Sequence, residues 1–409
     1  MKAVILCAGK ATRMHPLTLT RPKALIPIAN KPLLSHILDE LKEVNDAKIA
    51  EKIDEAILVV GYKKDMIRHV FKNNHNGLKL AYVEQKEQLG TGHAFMQAKD
   101  ALKNEDKFLV LNGDDLYFSE DIKKLFGYDN AALTVKVNDP EKFGVYAYDK
   151  KTRLAQQIVE KPEQFIADTA NIGCYIFSKR VFDIRIEKSQ RGEYEITDYV
   201  KKLIEKKDFY CIEAKRWLPI GYPWHILDAN KFMIENMAAE TKEGKIEGTV
   251  ENNVTIKGCI FVGKNTVIKS GTYIEGPAVI GDDCVIGPNT YLRPATAIGN
   301  NCKIGFEVEI KNSVIFDNTN VPHLSYVGDS ILGENVNFAA GSITANFRHD
   351  AGLIRTSIND ELVSAERNKF GTVVGDNAKL GIRTIIYPGR KIWNNMATLP
   401  GEIIKEDKK

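Results

Sequence analysis

Residues 279–310 read VIGDDCVIGPNTYLRPATAIGNNCKIGFEVEI. Ile280, Ile286, Leu292, Ile298, Ile304 and Ile310 recur at every sixth place, and Cys284, Thr290, Thr296, Cys302 and Val308 each stand four places after one of them. Neither a helix nor an ordinary strand repeats at six. A parallel β-helix does, because three short strands make one coil and each inward aliphatic residue stacks on its equivalent a coil later. The period extends back through Ile274, Ile268, Val262 and Ile256 to Val250, slips after Ile310, and returns at Leu332 and Phe338 and again at Val374, Leu380, Ile386 and Ile392. Rungs about 4.8 Å apart are expected. Cys284 and Cys302 then stack as reduced core thiols. The slip and the aperiodic excursion 346–370 are where side chains are expected to leave the wall, and function concentrates in such departures.

Upstream the pattern is different. Apolar runs at Ala56–Val60, Leu78–Val83, Phe108–Leu111 and Ala131–Val137 alternate with helical patterns at Pro32–Val44, Lys63–Lys72 and His93–Leu102. Further strands are expected at Gly144–Tyr148, Leu154–Glu160 and Asn171–Ser178, with a helix from Trp224 to Glu240. The fold class expected is α/β: a Rossmann-like, mostly parallel sheet covered on both faces, with its site at the carboxyl ends of the strands, followed by a parallel β-helix whose hexapeptide repeats resemble the left-handed β-helix of hexapeptide transferases. The domains expected are 1–240, a linker 241–249, a β-helix 250–400 and a charged tail 401–409.

The chain begins MKAVILCAGKATRMHPLTLTRPKALIPIANKP. Val4, Ile5 and Leu6 make a buried strand, and Ala8 and Gly9 let backbone N–H groups approach an anion closely. Arg13 and Lys23 add fixed positive charge, as stabilisation of a departing pyrophosphate requires. The chain has no G-x-x-x-x-G-K-[ST] and no G-x-G-x-x-G, so the two commoner phosphate loops are excluded. The stretch resembles the signature of sugar-1-phosphate nucleotidylyltransferases, G-x-G-T-R-x-x-P-L-T followed by P-K and N-K-P, with Ala11 replacing the second glycine. That residue must accept the dihedrals the loop imposes.

The resemblance implies roles for further residues. Leu6, Ala8, Gly9, Lys23, Gln85, Gly90 and Thr91 would bind the nucleotide, with Gln85, which opens QKEQLGTGHA, reading the base edge. Asp114 in LVLNGDD matches the Mg²⁺-binding aspartate, and one carboxylate with phosphate oxygens suffices for that ion. Gly144, Glu160, Lys161 and Asn171 match the sugar-phosphate contacts. Many relatives carry a second metal carboxylate in W-x-D-x-G, where this chain has Pro219 in WLPIG; Asp228 is a weak substitute. The chemistry implied is in-line attack of a sugar-1-phosphate on the α-phosphorus of UTP or dTTP.

The β-helix carries PHLSYVGD, GENVNFAAG and SITANF. These resemble the acetyltransferase half of bifunctional N-acetylglucosamine-1-phosphate uridylyltransferases, in which a histidine matching His323 takes a proton from the amine of glucosamine-1-phosphate as it attacks acetyl-CoA. Tyr326 and Asn337 accompany it. Arg293, Lys311 and Lys369 match cations that grip the sugar phosphate, with Arg367 a rival to Lys369. Ala340 and Asn346 are candidates for acetyl-CoA contacts, and the family's prisms associate as homotrimers. The alternative implied is a glucose-1-phosphate thymidylyltransferase using dTTP, with a β-helix that only assembles subunits.

Composition narrows the field. With 409 residues and a net charge of +3, the chain gives no argument for a nucleic-acid or membrane partner, its lysines being dispersed among acids. It has no apolar span and no charged segment followed by an apolar run at its start, so a cytoplasmic enzyme is expected. Six cysteines without a C-x-x-C pair read as buried thiols rather than a zinc site or a disulfide framework.

Overall fold

The computed structural model describes residues 1–46, 51–189, 191–241 and 243–409. The chain forms two compact units. One comprises Met1–Lys10, Pro22–Leu25 and Leu33–Pro219; the other comprises Ala11–Arg21, Ile26–Pro32 and Ile220–Lys409. The helix Pro223–Thr241, expected to close the first part of the chain, therefore groups with the second unit, as does the middle of the N-terminal motif.

The first unit is built on a ten-stranded mixed sheet. Its centre is parallel: Lys107–Asn112, Lys2–Cys7, Glu55–Val60 and Leu78–Glu84 lie side by side. Thr169–Ser178 runs antiparallel to Lys107–Asn112, and Gly144–Tyr148 and Ala155–Glu160 continue that side antiparallel. The flanks are thus less parallel than the alternating pattern suggested. Successive side chains of a strand point to opposite faces. Ala3, Ile5 and Cys7 accordingly join one core with Leu34, Leu38 and Leu41 of helix Leu33–Asp46, while Val4 joins another with Phe95 of helix Thr91–Gln97 and Val200 of helix Ile196–Glu205. This sandwich fixes the carboxyl ends of Lys2–Cys7 and Lys107–Asn112 beside each other, Leu6 in register with Asn112.

In the second unit three parallel ladders of eight, seven and eight short strands form a left-handed β-helix. Ile268, Ile286, Ile304 and Val321 stack in register in one ladder, and Ile274, Leu292, Ile310 and Val327 in another. All are buried. Corners fall three residues after most aliphatic positions and have positive φ, as at Asp283, Asn289, Asn301 and Asn318; Asn and Asp tolerate that region because their short polar side chains bond locally.

The slip after Ile310 turns out not to break the wall. Rungs continue through Ile315, Val321 and Val327, all buried. Two corners are instead one residue short, at Asn312 and Asp329, which have positive φ and stack with Asn312 donating to Asp329 at 2.7 Å. The excursion 346–370 holds an antiparallel hairpin, Arg355–Ile358 with Glu361–Ser364, turned at Asn359 and Asp360 with φ of 50° and 70°. That pair of positive φ values is the turn that matches strand twist.

The segments read as linker and tail carry rungs of their own. Gly244–Ile246 pairs with Ile260–Val262, and Ile403–Ile404 pairs with Ile385–Ile386; position 242 lies outside the described residues. All six cysteines are unbridged and buried. Among the described residues no helix is long and apolar enough to cross a membrane.

Candidate functional site

The first unit places Lys23 at the carboxyl ends of its parallel strands. Its ammonium is buried and lies 2.9 Å from the Asp114 carboxylate, whose side chain is 44% exposed. Gly113 makes this approach possible. A Cβ there would stand 2.3 Å from Cys7 Sγ and 2.7 Å from the Leu6 carbonyl, which accepts the Gly113 N–H at 3.0 Å. Burial, reinforced by the Asp114 charge, pushes the Cys7 thiol far up, so it stays neutral. The Ala8 carbonyl accepts from Tyr62 N–H, while the space around Gly9 is open. Ala11, as the loop demands, is left-handed at φ 51° and ψ 52°.

Gln85 is buried. Its amide nitrogen reaches the Gly90 carbonyl at 3.1 Å and His93 Nδ1 at 3.0 Å, which fixes the amide plane. Gly90 has φ 107°, and a Cβ there would meet the Tyr194 carbonyl at 2.4 Å, so only glycine fits. Thr91 begins the following helix and accepts the Ile196 N–H. His93 escaped the sequence reading; its spacing from Gln85, across a turn whose geometry the sequence does not print, gave no signal.

Gly144 is in register with Glu160, whose carboxylate would come within 2.8 Å of any Cβ at Gly144, and Asn171 lies against the same spot. Asn171 donates to Tyr175 at 2.7 Å. Burial raises the Glu160 carboxyl, opposed by Arg191 at 3.6 Å. Arg191 is a further cation that sequence reasoning missed. Lys161 follows with φ 46° and is exposed.

No group of three metal-binding side chains occurs among the described residues. Pro219 pairs with Asp115 in a two-stranded sheet, where Asp115 is buried and accepts from Trp217 Nε1 at 3.2 Å. Asp228 is bound by the Arg367 guanidinium. That pairing also occupies the rival to Lys369.

In the second unit, Arg293, Lys311, Tyr326 and Asn346 come together along one ladder. Tyr291, Glu309, Tyr326 and Ile343 are in register on successive coils. Arg293 contacts Glu309 at 3.0 Å. The buried Asp329 carboxylate receives Lys311 at 3.3 Å, Asn312 and Asn346, and Asn346 also donates to the Tyr326 hydroxyl at 3.2 Å. Burial and the charges of Asp329 and Glu309 raise the Tyr326 phenol. The short corner at Asp329 is what brings these groups into one cluster. Gly328 is needed beside it, since a Cβ would lie 2.3 Å from the Tyr326 hydroxyl.

His323 ends the strand Asn320–His323 on the adjoining ladder, in register with Phe306, and is exposed. Its carbonyl accepts from Gly341 N–H, which brings Ala340 to the same corner, and Asn337 pairs with Asn320 in that ladder. Lys369 is exposed and its backbone bridges Phe347, next to Asn346.

A sheet of this kind with a cation and a carboxylate at its strand ends, joined to a hexapeptide β-helix, defines a two-part transferase. The nucleotidyl transferase family model matches residues 2–236, and that of the GMPPB C-terminal domain matches 274–395. The bifunctional protein GlmU of Methanococcus maripaludis strain C7 is 47% identical over 402 residues, covering 97% of this chain and 92% of that protein. The bifunctional sugar-1-phosphate nucleotidylyltransferase/acetyltransferase of Sulfurisphaera tokodaii is 37% identical, covering 100% and 98%. A crystal structure described as that of a glucose-1-phosphate thymidylyltransferase from Bacillus anthracis superposes with a TM-score of 0.51 at 25% identity, over 57% of this chain and 94% of that one. The chain belongs to the family of bifunctional sugar-1-phosphate nucleotidylyltransferase/acetyltransferases.

Proposed function

We propose that the protein makes a UDP-N-acetyl amino sugar in two steps: acetyl transfer from acetyl-CoA to glucosamine-1-phosphate, then transfer of UMP from UTP to N-acetylglucosamine-1-phosphate with release of pyrophosphate. The observation that carries the nucleotidyl half is the buried Lys23 ammonium 2.9 Å from Asp114 at adjoining strand ends. We assign nucleotidyl transfer to residues 1–240 and acetyl transfer to 250–400.

In the nucleotidyl step a phosphate oxygen of the sugar attacks the α-phosphorus in line, and pyrophosphate leaves. Lys23 and Arg13 meet the charge that builds on it. Asp114, half-exposed at a strand end, fits Mg²⁺, which needs only one or two carboxylates plus phosphate oxygens. When bound, such an ion supplies further neutralisation of the triphosphate. Glu160 and Asn171 would take the sugar hydroxyls. In the acetyl step His323 removes a proton from the attacking amine, the acetyl carbon–sulfur bond breaks, and the CoA thiol leaves. Arg293, Lys311 and Lys369 would hold the sugar phosphate.

A homotrimer is supported by an exposed apolar column on the β-helix. Ile343, Ile385 and Ile403 are in register on successive coils and 42%, 38% and 49% exposed. A wall of this kind is built to be covered, and a second copy supplies a matching one.

The test is pyrophosphate release with UTP or dTTP against glucosamine-, galactosamine- and glucose-1-phosphates and their N-acetyl forms, beside thiol release from acetyl-CoA. Preference for dTTP with glucose-1-phosphate and no thiol release would select the thymidylyltransferase reading. Asp114→Asn is expected to slow nucleotidyl transfer about a hundredfold or more; wild-type activity in that variant would remove the metal assignment.

A further inference from the structure

The segment Ala11–Arg21, which carries Arg13, belongs to the second unit, and residues of the β-helix hold it there. The buried Asp376 carboxylate accepts from Arg21 at 2.6 Å and from the Thr20 hydroxyl. The same Arg21 nitrogen reaches Glu334 at 2.8 Å, and its guanidinium lies 5.1 Å from the Phe316 ring. At the other end of the segment the Lys391 ammonium, 2% exposed, donates to the His15 carbonyl at 2.9 Å. The hydrogen-bonding partners Glu334, Asp376 and Lys391 lie more than three hundred residues along the chain from the segment.

A surface ion pair is weak, but this one is buried. Removing one member would leave the other desolvated and uncompensated, so the segment has strong reason to keep this position. Arg13 sits between the two anchors, in the short helix Thr12–Met14, with its guanidinium 5.1 Å from the Tyr222 ring. Two residues beyond Arg21 comes Lys23.

We propose that Asp376, with Lys391, is a positioning residue for nucleotidyl transfer: a β-helix carboxylate that sets the triphosphate-binding segment through Arg21 and Thr20. The β-helix thereby serves the nucleotidyl reaction as well as the acetyl one. This rests on the nucleotidyl activity proposed above.

The full chain carrying Asp376→Asn tests it. The substitution keeps Oδ1, which accepts the Glu334 N–H at 2.8 Å between coils, and removes the charge that faces Arg21. A catalytic group displaced by about an ångström costs up to about a hundredfold. Expected is a fall of about tenfold or more in kcat, or an equal rise in KM for UTP, measured by pyrophosphate release. Thiol release from acetyl-CoA with glucosamine-1-phosphate, assayed where the variant is still folded, should stay at the wild-type value, while the melting temperature falls because Arg21 loses its buried partner. Asp376→Glu should restore part of the loss. Arg21→Gln, which removes the other member of the pair, should reproduce the defect, and the double variant should be no worse than either single one. Wild-type kcat and KM in Asp376→Asn, or equal losses of both activities, would overturn the proposal. A wild-type chain inactive with every nucleoside triphosphate would instead remove the activity on which it rests.

Discussion

The two candidate sites are built by different geometries. In the first unit the groups come from the ends of strands and the turns that follow: Lys23, Asp114, Gln85 and Gly90 are set by where the sheet stops and by glycines that let backbone pass close. In the second they come from one wall: Tyr291, Glu309 and Tyr326 are vertical neighbours because each coil repeats the last. A strand-end site tolerates change in the loops between its parts. A wall site depends on register, so the loss of one residue at a corner is enough to tuck Asp329 beneath Lys311 and Asn346. The comparison teaches that insertions reshape the first kind of site, and deletions at corners create the second.

The sharpest way to break the comparison is His323→Ala. Loss of a general base costs about 10²–10⁴ in rate. Acetyl transfer should fall by that amount while nucleotidyl transfer stays within about twofold, because His323 is an exposed strand end that touches none of the anchors of Ala11–Arg21. Equal acetyl transfer in mutant and wild type, followed by thiol release, would leave the β-helix as an assembly module.

A second way is Ile385→Asp on the exposed apolar column. Facing charges across a trimer axis should shift the population from trimer to monomer, as read by light scattering at micromolar concentration. A chain shortened to end near Glu243 should likewise fail to trimerise. A trimer persisting in either would place the assembly surface elsewhere.

A smaller effect would sharpen the description of the first unit. Glu40, on helix Leu33–Asp46, accepts the Ser119 N–H at 2.6 Å, and burial with the nearby Glu43 charge pushes its carboxyl up to about 7. The folded state then holds this proton more tightly than the unfolded state. Stability is fullest below the ordinary carboxylate range and falls as pH rises from there through 7. Glu40→Gln should therefore stabilise the protein at pH 8, by up to about 3 kcal/mol, and converge with wild type below pH 4.5. Denaturant midpoints at the two pH values check this; equal midpoints at pH 8 would show that the carboxylate is not desolvated.

Much of the fold was legible. Every inward position in the β-helix must bury an aliphatic side chain independently, so the period is written along the chain, and the strands of the first unit follow from apolar runs of ordinary length. Gly90 was marked in the sequence by the QKEQLGTGHA stretch. His93, Arg191 and Asp329 were not, because each takes its place from a partner brought near by tertiary packing. Asp228 looked available for a metal until its ion pair with Arg367 was seen.

By itself the sequence determined the two architectures and the family, and it named Lys23, Asp114, Arg293 and Lys311 as candidates, since periodicity and short motifs are local properties. Only the tertiary structure decided that the slip after Ile310 is two shortened corners rather than a broken wall, and that Ala11–Arg21 is held by Asp376 and Lys391. The reason is physical: a buried ion pair between residues more than three hundred positions apart leaves no period and no spacing in the chain. It exists only once folding has removed both partners from water.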